Sequence, residues 1–202
     1  MLTTKNFINK ITLLFLILSI STNNVLSNEN KALSIGSAEA KVTVKVFSSL
    51  TCPHCAHFHN EIFDNLKKEY IDTKKVRFEH HGFPLDLAAL NAEKILRSIT
   101  DTERSFQFLT IIYKKQDLWA VGSDIDKINI SIKKIGIEFG LNKERMNKFI
   151  NDEKIQDQIL NERIEAQKNF KISSTPTIYI NEKKYEGKHE YKVFKKNLEK
   201  LL

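Results

Sequence analysis

The sequence predicts an α/β fold in which a block of helices interrupts a small mixed sheet. Residues 42–47 alternate in apolar character and predict a strand. Strand character returns at residues 177–180, and no strand pattern occurs between residues 85 and 168. An order of strand, helix, strand, helical block, hairpin and helix is typical of an α/β unit that carries an insertion.

The first part of this unit has three local signals. Residues 28–41 form a polar lead that predicts at most a small edge strand. After the first strand, apolar residues share one face at helical spacing and predict a helix to about Tyr70. These residues are Phe58, Ile62, Phe63, Leu66 and Tyr70. Residues 76–81 then alternate and predict a second strand.

The inserted block is predicted at about 85–168 and consists of helices separated by capping residues. The predicted helices span residues 85–99, 102–116, 124–139, 143–150 and 153–168. The predicted N-caps are Asp101, Ser123 or Asp124, Asn142 and Asp152. Gly140 is expected to stop the third helix. Trp119 lies in a looser segment and is expected in the core or along a groove.

The C-terminal part returns to the sheet. Residues 177–180 and 184–187 flank a turn and predict a hairpin. Residues 191–202 are amphipathic and predict a closing helix.

Both cysteines of the 202-residue chain lie in the stretch Cys52-Pro53-His54-Cys55, between the first strand and the first helix. The first backbone N–H groups of a helix lack partners and favour negative charge, so a sulfur there is stabilised as a thiolate. Pro53 suits the first helical position. A protonated His54 would add positive charge. Cys55 lies one turn further on and can close a small disulfide with Cys52, which predicts a redox-active pair.

Two other interpretations of the pair remain open. An inert structural disulfide would close a loop too short to stabilise the fold much. A copper or zinc site could combine Cys52 and Cys55 with one of the neighbouring histidines, His54, His57 or His59, although structural zinc normally needs four ligands.

The N-terminus has the pattern of a secretory signal peptide. Lys5 and Lys10 precede an apolar run at residues 11–20, and a polar segment leads to Val25-Leu26-Ser27. The apolar run is about half of the roughly 20 residues that a membrane helix needs. We therefore expect residues 1–27 to be cleaved after Ser27, which leaves a mature chain of residues 28–202. Export would place the cysteine pair in an oxidising compartment such as the periplasm.

Charge gives no sign of a nucleic-acid partner. The formal net charge is +7, and the basic residues are interspersed with acids along the whole chain. A solvated surface explains this pattern better than nucleic-acid binding does.

The arrangement resembles the DsbA-like thiol:disulfide oxidoreductases, which have a thioredoxin fold with a helical insertion. The motif Cys52-Pro53-His54-Cys55 carries this resemblance, together with Ser174-Thr175-Pro176-Thr177 before the late strand. The resemblance implies a cis bond between Thr175 and Pro176 and a substrate-facing loop there. It also implies an enzyme without a cofactor, with Cys52 as the exposed attacking thiol and Cys55 as the resolving thiol.

One position departs from the family pattern. Many members have an acid six residues before the first cysteine, which helps to move protons near the buried cysteine, and here that residue is Val46. Lys45 points to the opposite face of the strand. Glu79 on the next strand is considered as a substitute. His80, His81 and His189 are expected to be solvated or capping histidines rather than a proton relay.

Three functions follow from these observations. The first is a periplasmic oxidase that donates its disulfide to newly exported proteins and is reoxidised by a membrane redox partner. The second is an isomerase or reductase on the same fold, which Thr175 favours. Only 24 residues would lie between the cleavage site and Cys52, and we therefore expect a monomer. The third is a Cys/His metal-binding protein.

Overall fold

A five-stranded sheet forms the centre of the computed structural model, which describes residues 32–202. The predicted signal peptide and its cleavage site therefore lie outside the described residues. The strands are β1 Leu33–Ile35, β2 Val42–Ser48, β3 Val76–Gly82, β4 Thr177–Ile180 and β5 Lys183–Lys184. Their order across the sheet is β1-β3-β2-β4-β5.

Strand β2 lies in the middle of this sheet. It pairs in parallel with β3, so that Val46 lies opposite His80, and antiparallel with β4, so that Val46 also lies opposite Ile178. Both edge strands, β1 and β5, are antiparallel to their neighbours. The sheet is mixed, as predicted, and the C-terminal end of its central strand leads directly to the cysteines.

The tract after the cysteines is continuously helical over residues 53–71, but it is not one regular α-helix. Two α-helical segments, α1 Pro53–Phe58 and α2 Asp64–Leu66, alternate with π-helical turns at His59–Phe63 and Lys67–Ile71. The apolar face predicted from helical spacing is buried throughout. The π-helical turns were not predicted, because each adds a residue to a turn without breaking the apolar pattern.

Six helices lie between β3 and β4. They are α3 Leu87–Arg97, α4 Thr102–Lys114, α5 Gln116–Trp119, α6 Ile125–Glu138, α7 Lys143–Ile150 and α8 Glu153–Phe170.

The helix caps in this block agree with the sequence prediction. Asp101, Asp124, Asn142 and Asp152 each accept a hydrogen bond from a backbone N–H of the first turn. The first helix of this block, α3, begins two residues later than predicted, because the Asp86 side chain caps it by accepting a hydrogen bond from the Ala89 N–H. Gly140 follows α6 with φ +89°, a conformation that favours glycine.

Trp119 belongs to α5 rather than to an irregular segment. Its side chain is 1% exposed, and its indole N–H donates to the Ile112 carbonyl oxygen at 2.8 Å. A buried indole needs such an acceptor, so Trp119 fixes α5 against α4.

The C-terminal part forms the hairpin β4–β5 and a closing helix, α9 Tyr191–Leu198. Strand β5 comprises only two residues, and α9 ends four residues earlier than predicted. In the described part of the chain, no helix combines the length and the apolar character that crossing a membrane requires.

The core fills both faces of the sheet. On one face a large apolar cluster joins β2 and β3 to the 53–71 tract, α4 and α9, and the rings of Phe63, Phe78 and Phe106 pack against one another. A smaller cluster around Phe47 and Phe83 covers the other face. Helices therefore cover both sides of the strand that carries the cysteines.

Removing one ring from the larger cluster should destabilise the whole domain. Phe106 is 1% exposed and stacks on Phe63 with ring centroids 5.4 Å apart. We expect Phe106→Ala to lower the free energy of unfolding by about 3–5 kcal/mol, measured by chemical denaturation. The exposed Ile130→Ala should change it by less than about 0.5 kcal/mol. Equal effects of the two substitutions would contradict this account of the core.

Candidate active site

The cysteine pair lies where the central strand passes into the first helix. Strand β2 ends at Ser48, and Cys52 occupies the N-cap of α1 in an extended conformation. The carbonyl oxygen of Cys52 accepts hydrogen bonds from the N–H groups of Cys55, at 3.0 Å, and Ala56, at 3.1 Å. Pro53 follows as the first helical residue, where its missing N–H leaves no hydrogen bond unmade.

Both cysteines are free thiols in this structure, and both are largely covered. Cys52 is 8% exposed and Cys55 is 2% exposed. The sequence predicted an exposed Cys52, and in the structure Cys52 is buried instead. Cys52 is the more accessible of the two, but the loop around Thr175 lies against it, and its sulfur is 3.4 Å from the Thr175 carbonyl oxygen, to which it donates when it is protonated.

The two thiols have opposite pKa shifts. A hydrogen bond from the Cys55 thiol lowers the pKa of Cys52 to about 5. Burial opposes this shift, whereas Thr175 and the backbones of Cys55 and His54 add to it. Burial raises the pKa of Cys55 well above its usual range, and the hydrogen bond and charge of Cys52 raise it further. Cys52 is thus a thiolate at neutral pH, while Cys55 holds its proton.

Thr175 and Pro176 precede β4, and because β4 is antiparallel to β2 they face this pair at the same end of the sheet. The Thr175–Pro176 peptide bond is cis. The Thr177 hydroxyl donates to the Ser174 carbonyl oxygen at 2.7 Å, which holds the turn before β4. The Thr175 hydroxyl is buried and has no hydrogen-bond partner of normal geometry among the described residues, but it lies close enough to the two thiols to lower the pKa of each.

The remaining motif residues point outward. Pro53 and His54 are exposed on the first turn of α1. The backbone of His54 contributes to the low pKa of Cys52. A direct role of the His54 imidazole remains a prediction.

Two side chains from the helical block hold the loop between β2 and α1. The Gln116 side-chain amide donates to the carbonyl oxygens of Leu50, at 2.8 Å, and Cys52, at 3.2 Å. Thr51 donates to the Asp86 carboxylate at 2.7 Å. Sequence analysis missed both Gln116 and Asp86 as site residues, because neither belongs to a motif and both are distant from Cys52 along the chain.

His80 corrects a sequence-based expectation. It is 3% exposed and lies between two partners, with Nδ1 at 3.2 Å from the Ser48 hydroxyl and Nε2 at 3.1 Å from the Glu93 carboxylate. It is therefore neither solvated nor a cap. Residues 76, 78 and 80 of β3 face inward, so strand alternation places His80 in the core.

The other polar residues of this region have different surroundings. Glu79 lies on the outward face of β3 and binds Arg77 and His81, so it does not take the place of an acid at Val46. His81 is half-buried and stacks on Phe47. His189 is also half-buried and packs edge-on against Phe58.

The structure gives no geometric support for the metal-binding interpretation. Within residues 32–202, no group of three or more His, Cys, Asp or Glu side chains is arranged to hold a metal ion. Of the neighbouring histidines, His59 is buried and hydrogen-bonded to the Thr110 hydroxyl at 2.9 Å.

Comparison with known proteins places this geometry in a family. The family model described as Thioredoxin matches residues 28–200. A Rickettsia typhi protein with the provisional name protein-disulfide oxidoreductase is 30% identical over 163 residues, which cover 81% of this chain and 59% of that one. Disulfide bond formation protein D of Bacillus subtilis is 29% identical over 180 residues, 83% of this chain and 76% of that protein. The chain spans between 52% and 59% of the length of the Rickettsia relatives.

A solved structure agrees over a larger share of both chains. The crystal structure of Wolbachia pipientis alpha-DsbA1 superimposes with a TM-score of 0.79 at 28% sequence identity, covering 85% of this chain and 90% of that one. This similarity confirms the predicted thioredoxin-like α/β fold with a helical insertion. The chain therefore belongs to the thioredoxin family and, by its inserted helices, to the DsbA-like group within it.

Proposed function

We propose that this chain is an exported thiol:disulfide oxidoreductase that introduces disulfides into newly exported proteins through the Cys52–Cys55 pair. The observation that carries the proposal is the placement of the two thiols: Cys52 lies at the N-cap of α1 beside Thr175, whereas Cys55 is buried one turn further on, and this placement moves their pKa values apart. Cys52 is stabilised as a thiolate, whereas Cys55 is held as a thiol by burial. A pair whose reduced form is stabilised in this way forms an oxidising disulfide.

The exchange would proceed in two displacements. A client thiolate attacks the Cys52 sulfur of the oxidised pair, the Cys52–Cys55 bond breaks, and Cys55 leaves with the electron pair and takes up a proton. A second client thiolate then attacks the client sulfur of this mixed disulfide. Cys52 leaves as a thiolate, which its low pKa favours.

The Thr175–Pro176 loop supports client binding beside Cys52. Pro176 has no N–H to compete for hydrogen bonds. The backbone of Thr175 can therefore hold an extended client segment as an added strand. The clients are reduced or unfolded polypeptides, and a membrane redox partner returns the pair to its disulfide form.

Export rests on the sequence of residues 1–27, which has the features of a cleavable signal peptide. The domain organisation that we propose is this signal peptide followed by one DsbA-like domain over residues 28–202, with its insertion at about 85–168. Its working compartment would be the periplasm, where disulfides persist.

A second candidate, an isomerase or reductase on the same fold, is favoured by Thr175. Its buried hydroxyl contributes to the low pKa of Cys52 and so influences the redox balance of the pair. Oxidation of a reduced model protein and repair of a scrambled one separate the two functions. An oxidase performs the first reaction well and the second poorly.

Trapping of mixed disulfides tests the roles of the two cysteines. We expect Cys52→Ser to abolish exchange, because Cys52 is the activated thiol and the more accessible of the two. Cys55→Ala should accumulate clients bound through Cys52, because the resolving thiol is gone. Mass spectrometry of the trapped complexes identifies the attached sulfur. Clients attached to Cys55 in the first variant, with none on Cys52 in the second, would reverse the assignment.

The pKa of Cys52 also predicts which redox form is more stable. The folded value is about 5, whereas an unfolded cysteine titrates near 8.5. The thiolate therefore adds to the free energy of unfolding of the reduced form. This contribution is fully present near pH 8.5 and is lost as the pH falls through about 5. Above about pH 8.5 the raised pKa of Cys55 acts in the opposite direction, because the unfolded thiol ionises there and the folded one does not.

We therefore expect reduced protein to unfold at a higher denaturant concentration than oxidised protein at neutral pH, with similar m-values. The difference should shrink as the pH is lowered toward about 5. Paired urea titrations of the two forms measure it. An oxidised form that is the more stable at neutral pH would favour the isomerase or reductase instead.

His54→Ala tests whether the exposed imidazole acts on the Cys52 thiolate. We expect the substitution to raise the pKa of Cys52 and to make the protein less oxidising, because it removes a side chain that can favour the thiolate through charge or a hydrogen bond. The backbone contributions remain, so the shift should be only partial. Ultraviolet absorbance of the thiolate follows the titration. His57→Ala, exposed on the same helix, is the control. Identical titrations of both variants and the parent would exclude the imidazole.

A further inference from the structure

The side chain of Gln116 contacts the backbone of the attacking residue itself. Its Nε2 donates to the carbonyl oxygens of Leu50, at 2.8 Å, and Cys52, at 3.2 Å. An amide NH2 carries two hydrogens, so these two contacts use both of its donors. Because both partners are carbonyl oxygens, which only accept, the contacts also fix which end of the carboxamide faces the loop.

The other end of the carboxamide is available to an incoming group. No hydrogen bond within residues 32–202 is made to the Gln116 Oε1. In the same part of the chain, the enclosed side-chain atoms that lack a partner are the hydroxyls of Tyr113, Thr175 and Tyr191. The Gln116 oxygen is not one of these enclosed atoms. An acceptor that is open to solvent is therefore held beside Cys52 by its own NH2 group.

The segment that carries Gln116 is fixed on one side and uncovered on the other. Trp119 of the same helix is buried, and its indole N–H donates to the Ile112 carbonyl oxygen at 2.8 Å. Leu118 and Val121, which flank Trp119 along the chain, are exposed. The described residues thus hold α5 in place and leave its outer surface free for contact with another molecule.

An extended client presents hydrogen-bonding groups on two edges. Backbone N–H groups of successive residues in a strand point alternately to one edge and to the other. The function proposed above pairs one edge with the backbone of Thr175, whose carbonyl oxygen is 3.4 Å from the Cys52 sulfur. Gln116 contacts Cys52 at its carbonyl oxygen instead. A client that lies over Cys52 against Thr175 therefore has a second edge for which Gln116 supplies an acceptor.

We propose that Gln116 is a specificity-determining residue, whose Oε1 accepts a hydrogen bond from the backbone N–H of a client residue within two positions of the reacting cysteine. This N–H lies on the client edge that faces away from Thr175. The NH2 group of Gln116 holds the loop of Cys52 at the same time, so one side chain aligns the attacked sulfur and the client. The preferred clients are extended cysteine segments without proline at this position. The proposal rests on the function proposed above.

Two substitutions separate the oxygen of Gln116 from its NH2 group. Gln116→Met has a similar length and removes the amide altogether. Gln116→Lys keeps N–H donors for the carbonyl oxygens of Leu50 and Cys52, but it has no acceptor. The matched control is Gln107→Met, because Gln107 is an exposed glutamine on α4 that makes no side-chain hydrogen bond within the described residues.

The test compares N-methylated client peptides. Each oxidised protein is mixed with a reduced model peptide that carries one cysteine, and the reaction is stopped by acid. Mass spectrometry gives the initial rate at which the mixed disulfide forms. The peptide is N-methylated in turn at each of the two residues before and after its cysteine, which removes one N–H at a time. The measured quantity is the rate ratio of unmethylated to methylated peptide in the same protein, so changes in the reactivity of the cysteine pair cancel.

We expect one position in the peptide at which N-methylation slows exchange with the parent by about 2- to 10-fold more than it slows exchange with either Gln116 variant. This is the effect of one hydrogen bond. Gln107→Met should keep the parent ratio. N-methylation at positions that face Thr175 should reduce the rate equally in all four proteins, because Thr175 is unchanged in each.

Three results would overturn this role of Gln116. The first is that no rate ratio depends on the residue at position 116. The second is a parent-like ratio in Gln116→Lys, since Gln116 would then only hold the loop. The third is an equal change in Gln107→Met. If Gln116→Met does not fold, Gln116→Lys decides alone. A parent protein that exchanges thiols with none of the peptides would refute the proposed function rather than the client contact.

Discussion

The hydrogen bond between the two thiols is the interaction on which the site depends. It is the largest cause of the low pKa of Cys52, and it also raises the pKa of Cys55. One contact therefore moves the two values apart, but only because the sulfurs occupy different surroundings. Cys52 also meets backbone groups at a helix start and the Thr175 loop, whereas Cys55 is one turn deeper among apolar side chains. The rest of the fold maintains that difference.

Three separate parts of the chain maintain the difference in surroundings between Cys52 and Cys55. The central strand delivers Cys52 to the N-cap of α1, the Thr175–Pro176 turn approaches from β4, and Gln116 secures the loop from the helical block. Because β2 lies between β3 and β4, the groups carried by both neighbours converge on the end where the cysteines lie. The insertion thus does more than cover the sheet, since one of its side chains holds the Cys52 carbonyl oxygen.

Local signals predicted much of this arrangement, and long-range contacts account for what they missed. The strand-to-helix position of the cysteines and the caps at Asp101, Asn142 and Asp152 follow from a few adjacent residues, so the sequence contained them directly. Gln116 and Glu93 act across the fold, and nothing in their neighbours along the chain marks them. For His80, strand alternation indicated the inward face. The residue that satisfies the buried His80, Glu93, lies on α3, and the alternation of a single strand cannot predict it.

The pairing of β2 with β3 relates the wrong prediction for His80 to the absence of the family's acid at Val46. Parallel register places His80 directly opposite Val46, on the same inward face of the sheet. A single acid at position 46 would be one isolated charge in an apolar layer, which is costly to bury. The chain instead has a histidine on the adjacent strand, which is hydrogen-bonded to the Glu93 carboxylate, and Arg97 lies beside that carboxylate. A titratable pair is thus present at the same depth in the sheet, and its polar partners come from α3 rather than from solvent.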